Sequence, residues 1–174
     1  IEIEYGITPK WDIAIYQSWL EQRSADTASF FYDGFKLRNR FRLLERGEFY
    51  IDPLLYVEYK RKTDLTVPDI LEIKIIVSRY INNFDISYNQ TWEYLLGGEK
   101  ESSSKYAIGC GVRATDGFHF GIESIGNYNK KEYFGGVTIS IPLKDDTFFS
   151  FGTAWGLNDH SPDFQSRMIM GYLL

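Results

Sequence analysis

The chain of 174 residues carries 19 Lys and Arg against 24 Asp and Glu, which gives a formal net charge of −5. This length suits a single domain, 1–174, and the negative balance argues against nucleic acid as a partner, because no cationic surplus is available to neutralise phosphates. No apolar run approaches the ~18 residues of a membrane-spanning helix, and a single cysteine, Cys110, excludes an internal disulfide.

Apolar and polar residues alternate with a period of two along most of the chain, which is typical of strands with one apolar and one polar face. Residues 1–7 alternate strictly, and β-branched residues are frequent in 70–80. The predicted fold class is therefore all-β. About eleven strands, most of them near ten residues long, are predicted at 1–7, 11–20, 35–43, 55–60, 70–80, 84–94, 105–115, 118–127, 133–142, 147–157 and 166–174.

The segment 34–60 shows the alternation most clearly. Four cations, Lys36, Arg38, Arg40 and Arg42, fall on one side of an extended chain, and mainly apolar residues fall on the other. Apolar residues in 35–46 also fit helical spacing, so a basic amphipathic helix is an alternative there. The strands predicted on both sides of this segment favour strand.

Two kinds of connection alternate along the predicted strands. Short turns are predicted at 8–11, 45–48, 82–83, 116–117 and 144–146, and mostly longer loops at 23–29, 61–69, 97–104, 128–131 and 158–164. Asp116-Gly117 is the strongest hairpin signal. Short turns at one end and longer loops at the other are typical of outer-membrane barrels. The predicted strand length also matches the ~9–11 residues that cross a bilayer, rather than the ~5–6 of an average strand.

Aromatic residues lie mostly near strand ends on the apolar side: Trp11, Trp19, Phe84, Trp92, Tyr94, Tyr106, Phe118, Phe149 and Trp155. Such girdles mark the two interfaces of a membrane barrel. Because lipid offers no hydrogen bonds, strands that cross it must close on themselves. The prediction is an antiparallel up-and-down transmembrane β-barrel in the bacterial outer membrane, with its apolar face toward lipid and its charged face toward the lumen.

Four polar residues fall on the predicted lipid face: Gln17, Asn39, Arg79 and Gln90. Arg79 is near a strand end, from which its long side chain can reach the interface. Asn39 is in mid-strand, where only a bulge that shifts the register would remove it from lipid.

The parity of the strands leads to a further expectation. If the short turns are periplasmic, both the first and the last predicted strand run toward the periplasm. Bacterial single-chain barrels have an even number of strands. We therefore expect a barrel of about 12 strands, of which about 11 are present here and the first would precede Ile1.

The predicted lumen carries charges of both signs. Its lining residues are Glu4, Asp12, Lys36, Arg38, Arg40, Arg42, Glu58, Lys60, Glu72, Lys74, Asp85, Glu93, Arg113, His119 and Glu123. With Glu2 and Lys105 on the same face, eight cations and eight anions cancel. One interpretation is a pore whose arginines attract anions, and the other is a mesh of cross-strand ion pairs that braces a narrow lumen. The balance of charge favours the mesh, within which a basic stripe could still favour an anionic solute.

Two other functions are compatible with the pattern. A soluble secreted β-barrel would turn its apolar face inward, around an apolar ligand. An outer-membrane hydrolase could use Asp159, His160 and Ser161, but adjacent loop residues rarely form a triad, so no catalytic residue and no enzyme activity are predicted. The sequence has no cluster with metal-ligand spacing and no phosphate-binding loop, so neither metal nor cofactor is predicted.

Three runs carry a resemblance to a known family: EIEYGITPKWDIAIY, DGFKLRNRFRLLE with YIDPLLYVEY, and LEIKIIVSRYINNFDISYNQTWEY. They resemble uncharacterised bacterial outer-membrane barrels akin to the transporter-like proteins labelled as phenol-degradation MetA-pathway proteins. The resemblance implies passage of small solutes, no catalytic residues, and insertion by the barrel-assembly machinery. That machinery usually reads a terminal aromatic residue, whereas this chain ends in Leu174, with Tyr172 two residues earlier.

Overall fold

The computed structural model describes residues 1–23, 28–97, 102–115, 117–143 and 146–172. The strands in these ranges are β1 Glu2–Thr8, β2 Trp11–Arg23, β3 Ala28–Arg42, β4 Asp52–Lys62, β5 Asp69–Ile81, β6 Phe84–Leu96, β7 Ser102–Thr115, β8 Phe118–Asn127, β9 Glu132–Pro142, β10 Thr147–Gly156 and β11 Phe164–Tyr172. Within the described ranges, no helix has the length and hydropathy that a membrane crossing needs.

The eleven strands form one sheet in which every strand pairs antiparallel with its neighbours in sequence. This confirms the predicted all-β, up-and-down architecture. The helical alternative for 35–46 is wrong, because Ala28–Arg42 is a continuous strand that pairs on both sides. No register joins β1 to β11 among the described residues, so closure into a barrel and a twelfth strand stay predictions.

The register places most charged residues of the strands on one face. Residues directly opposite each other in an antiparallel pair share a face, and one row runs through Glu4, Ala14, Arg38, Glu58, Glu72, Glu93 and Ser103. The next row on the other side of the sheet runs through Ile3, Ile15, Leu37, Tyr59, Leu71 and Tyr94. We call these two sides the polar face and the apolar face.

Burial on the two faces is the reverse of that in a water-soluble domain. The charged residues Arg38, Glu58 and Glu72 are only 5%, 3% and 6% exposed. On the apolar face, Leu37 is 44% and Ile122 66% exposed. Charged residues in soluble proteins are rarely buried without a partner, and large apolar patches are rarely exposed.

The connections differ in length between the two ends of the sheet. The end that carries the two-residue turns 9–10 and 82–83 is called the turn end, and the end that carries 63–68, 128–131 and 157–163 the loop end. One predicted short turn is wrong: β3 and β4 are joined by nine residues, 43–51. The predicted hairpin residue Asp116 and the chain end at Leu174 lie outside the described residues, as do most of the predicted loop 23–29 and part of the turn 144–146.

The nine-residue connection 43–51 is held by hydrogen bonds and charges. The Glu45 amide donates to the Glu48 carboxylate at 2.8 Å, and the Gly47 amide donates to Asp52 Oδ1 at 2.7 Å. Arg79 Nη1 donates to the Phe49 carbonyl at 2.7 Å. The guanidinium of Arg79 therefore leaves the apolar face and caps this connection, as its position near a strand end predicts.

Asn39 lies on the apolar face, as predicted, and no bulge removes it from there. The register of β2 and β3 is unbroken from Trp11 to Ser18, and the irregularity lies further along, between Ser18 and Trp19. The Asn39 side-chain oxygen instead accepts a hydrogen bond from Trp11 Nε1 at 3.2 Å. A buried or lipid-facing amide costs much less when it is hydrogen-bonded, so this pair accounts for a polar residue among apolar neighbours.

Candidate functional site

All fifteen residues predicted to line a lumen lie on the polar face, by the register of their strands. That this face lines a lumen stays a prediction. The polar face divides into two regions of different chemistry. One, on β1 to β7, is a dense set of ion pairs, here called the charge lattice: Glu2, Glu4, Asp12, Lys36, Arg38, Arg40, Glu58, Lys60, Glu72, Lys74, Glu93 and Lys105.

Arg38 is the centre of the lattice on β1 to β3. Its Nη1 lies 2.7 Å from Glu2 Oε1, and its Nη2 contacts Glu4 and lies 3.4 Å from Asp12 Oδ1. Nη1 also donates to the Tyr16 hydroxyl. Burying a guanidinium is costly unless its charge and its N–H groups find partners. These contacts provide partners for Nη1 and Nη2, whereas the buried Nε has no hydrogen-bond partner among the described residues.

Arg40 extends the same cluster toward the turn end. Its Nε donates to the two Asp12 carboxylate oxygens at 2.8 and 3.0 Å, and its Nη2 contacts Glu4. Two arginines therefore share the carboxylates that β1 and β2 supply. Two of the four cations that indicated an anion path, Arg38 and Arg40, therefore form ion pairs with carboxylates of neighbouring strands.

Lysines play the equivalent part on β4 to β7. Lys60 Nζ lies 2.6 Å from Glu72 Oε2 and 3.0 Å from Glu93 Oε1. Lys74 adds a contact of 3.0 Å to Glu72, and Lys105 pairs with Glu93. The like charges Glu58, Glu72 and Glu93 face one another directly in the register. Their repulsion is offset because each carboxylate has a lysine beside it.

The second region, on β6 to β11, has small side chains and is open. A cavity of about 420 Å³ lies here, and its lining from the polar face comprises Asp85, Ser87, Gly109, Gly111, His119, Gly121, Glu123, Thr138, Ser140, Ser150, Gly152, Arg167 and Ile169. We call it the trough. Where the lattice fills the polar face with long charged side chains, glycines, serines and a threonine leave this part unfilled.

One ion pair spans the trough. Arg167 on β11 pairs with Gly152 on β10, and its Nη2 contacts the Glu123 carboxylate on β8. A Cβ on Gly152 would lie 3.3 Å from the Arg167 guanidinium carbon, so the arginine lies flat over that glycine. Side chains three strands apart can meet only because the residues between them are small.

Asp85 is the charged residue of the trough that has no ion-pair partner within the described ranges. Its register partner is Gly111, and a Cβ built there would lie 2.9 Å from both carboxylate oxygens. The carboxylate therefore lies above Gly111, over β7, and projects toward the cavity. His119 lines the same cavity, next to Arg113 in the register, and Ser150 Oγ donates to Ser140 Oγ at 2.7 Å.

Three residues of the polar face were not singled out from the sequence. Arg167 is an isolated cation on β11, and the partner it needs is three strands away, beyond the reach of neighbour-by-neighbour pairing. Tyr16 and Tyr56 lie on the same face as the charged residues and hydrogen-bond to them. The Tyr16 hydroxyl accepts a hydrogen bond from Arg38, and the Tyr56 hydroxyl donates one to Glu58 at 2.5 Å. Their position in the alternation was a usable signal.

The apolar face carries aromatic residues at both ends of the sheet. At the turn end Trp11 stacks on Phe41, with ring centroids 5.6 Å apart. At the loop end the pairs are Trp19 with Tyr32, Phe35 with Tyr59, Tyr106 with Tyr128, and Trp155 with Phe164, at 5.3 to 6.3 Å. Aliphatic residues such as Ile15 and Ile108 lie between the two ends.

Gln90 is a polar residue in this apolar setting, and its amide is fully engaged. Its Nε2 donates to Ser104 Oγ and to the Lys105 carbonyl, both at 3.0 Å. Its Oε1 accepts from the Tyr88 hydroxyl at 2.7 Å. The side chain therefore presents little unsatisfied polarity outward.

The loop 157–163 does not arrange a nucleophile. Ser161 Oγ accepts from the Tyr133 amide at 2.7 Å and lies 2.6 Å from Asn158 Oδ1 and 2.9 Å from the Tyr133 carbonyl. The hydroxyl is thus engaged in fastening the loop to β9 rather than poised beside His160. Across the described ranges, no three His, Cys, Asp or Glu side chains converge as metal ligands would.

Comparison with protein-family models and with curated proteins finds no match for this chain. The site is therefore interpreted from its own geometry.

Proposed function

We propose that this chain is a β-barrel protein of the bacterial outer membrane that lets small polar solutes pass along its polar face. The observation that carries the proposal is the reversed burial of the sheet. Arg38 and Glu58 are buried, while Ile3 and Met170, at opposite edges of the same sheet, are 64% and 73% exposed. A continuous apolar face across eleven strands exceeds the few hundred Å² that soluble monomers expose, and lipid is the environment that suits it.

The spacing of the aromatic ends supports the same environment. Trp11 and Trp19 lie at the two ends of the apolar face of β2, eight residues apart. At ~3.4 Å per residue they are roughly 27 Å apart along the strand. For a strand tilt of about 40° this is ~20 Å along the membrane normal, close to the ~25 Å apolar band of outer-membrane barrels.

The solute path in the proposal follows from the contrast between lattice and trough. Ion-paired side chains occupy the lattice, while the trough retains about 420 Å³ lined by serines, threonine and glycines. Such a lining offers hydrogen bonds without bulk. Closure of the sheet, on which the path depends, is part of the proposal and follows from the need to pair strand edges in lipid.

Tryptophan quenching by brominated lipids tests the membrane environment. All four tryptophans, Trp11, Trp19, Trp92 and Trp155, lie on the apolar face. Each of four single-tryptophan variants, refolded into vesicles, is expected to be quenched most by bromines placed near the interface and less by bromines at the bilayer centre. The matched control is Tyr56→Trp, on the polar face, in a chain whose four native tryptophans are replaced by phenylalanine.

The soluble alternative predicts a different result. It requires the apolar face to surround a ligand, whereas the charges are on the buried side of this sheet. If the protein stays in buffer without detergent, or if the tryptophan at position 56 is quenched as strongly as the native four, the membrane proposal is overturned.

A further inference from the structure

We propose that Asp85 sets the charge preference of the trough and makes it a path for small cations, while the arginines of the lattice take no part in selectivity. This inference rests on the proposed function and names the solute class for the same path. It differs from one of the two interpretations of the sequence, in which the stripe from Lys36 to Arg42 attracts anions.

The first step is that the lattice offers few free cations. Arg38 and Arg40 contact three carboxylates between them, and Lys60 contacts three more. Each of these positive charges is neutralised within 4 Å. A passing ion therefore interacts with ion pairs and not with single charges. The electric field of an ion pair decays with distance much faster than that of a single charge.

The second step is the charge of the trough itself. Its lining contains two carboxylates, Asp85 and Glu123, and one guanidinium, Arg167, with His119 counted as neutral at pH 7. Because Glu123 and Arg167 contact each other, their charges cancel locally. The remaining formal charge on the cavity is the single negative charge of Asp85.

The third step is the position of that charge. The carboxylate lies above Gly111, whose missing side chain gives it room over β7. Ser87, the next residue on the same face of β6, follows Asp85 and lines the same cavity. Among the described residues, the nearest cation in the register without an ion pair is Arg113. It lies one same-face pair further toward the turn end, where it is exposed and outside the cavity lining.

A charge of this kind gives a moderate preference. One carboxylate about 6 Å from an ion in a water-filled passage favours the cation about threefold over the neutral case. At ~0.1 M salt the Debye length of ~10 Å roughly halves this interaction energy. The cation is then favoured about twofold and chloride disfavoured about twofold, which gives a cation-to-anion preference of about threefold. A ring of several charges, as in strongly selective channels, would give a stronger ion preference.

The test is the reversal potential in planar bilayers under a KCl gradient, recorded at pH 8 with the full chain. The wild type is expected to prefer potassium over chloride about threefold, and Asp85→Asn is expected to bring the ratio near one. Asp85→Glu keeps the charge and should keep the preference. Asp159→Asn, the same chemical change in the exposed loop 157–163, is the matched control and should leave the ratio unchanged.

The outcomes separate the two proposals. The role of Asp85 is overturned if the protein inserts and conducts but Asp85→Asn leaves its ion preference unchanged, or if the wild type prefers chloride. Either result leaves the proposed barrel and its solute path intact. A chain that inserts with quenched tryptophans but never conducts overturns the solute path as well. Far-UV circular dichroism of each variant in detergent establishes that a change in selectivity comes from a folded sheet.

Discussion

Replacement of Arg38 by Met tests whether the charge lattice holds the sheet together. The substitution keeps an unbranched side chain in the buried position but removes the contacts to Glu2, Glu4, Asp12 and the Tyr16 hydroxyl. Three carboxylates then face one another with Arg40 as the remaining nearby cation. We expect the variant to be less stable than the wild type.

The size of the loss follows from the exposure of the partners. Loss of one partner of a fully buried ion pair costs about 3–5 kcal/mol, because the other charge is left buried. Here Glu2, Glu4 and Asp12 are 40%, 42% and 23% exposed, so water can screen much of their charge and each contact is worth nearer the ~0.2–1 kcal/mol of a surface pair. Adding about 1 kcal/mol for the hydrogen bond to Tyr16, we expect a total of about 3 kcal/mol.

Urea unfolding of the protein refolded in lipid vesicles, followed by tryptophan fluorescence, measures this loss. The matched control is Arg42→Met, on the same strand and face, because Arg42 takes part in no ion pair among the described residues. We expect Arg42→Met to change the free energy of unfolding by less than ~0.5 kcal/mol. Equal effects of the two substitutions would refute the bracing role of the lattice.

Two further predictions concern other parts of the sheet. Gly136→Ala should prevent normal pairing of β9 and β10, because a Cβ there would lie 2.2 Å from the Thr153 carbonyl oxygen. The control is Gly135→Ala, next to it on the opposite face. Its Cβ would lie 3.5 Å from the nearest atom, in the Leu157 side chain, so this variant should fold. Heat-modifiable migration in SDS gels reports the difference, and equal folding of the two variants would contradict the close packing. Ser161→Ala should loosen the loop 157–163 by about 1 kcal/mol, seen as faster hydrogen exchange of the Tyr133 amide, with global stability unchanged; exchange as slow as in the wild type would show that the hydroxyl does not fasten the loop.

Much of the sheet could be predicted because its signal is local. A period of two fixes which residues share a face, and antiparallel neighbours carry that information from strand to strand. The alternation from Lys36 to Arg42 thus placed four cations on one face correctly, and the turn at 82–83 occurs as predicted. The same reasoning placed Asn39 on the apolar face, which was right, while the hydrogen bond from Trp11 that satisfies it there was not predicted.

The contacts that the sequence did not reveal depend on distance across the sheet or on the path of a connection. Glu123 and Arg167 meet over three strands, because residues such as Gly152 leave room between them. The nine-residue connection 43–51 is held by a residue distant in sequence, because Arg79 on β5 donates to the Phe49 carbonyl. Neither contact has a local pattern, so composition and spacing could not predict them.

The stripe of cations on β3 is interpreted differently once the ion-pair partners of its residues are known. Four positive charges in one strand predict an anion path only if they stay free, and Arg38 and Arg40 do not. Their carboxylate partners come from β1 and β2, so the stripe joins the edge of the sheet to its interior. Under the proposed function, a solute is directed by the side of the polar face where charge is sparse. On that side a single carboxylate above a glycine has more influence than a ladder of paired arginines, because its field is not cancelled within 4 Å.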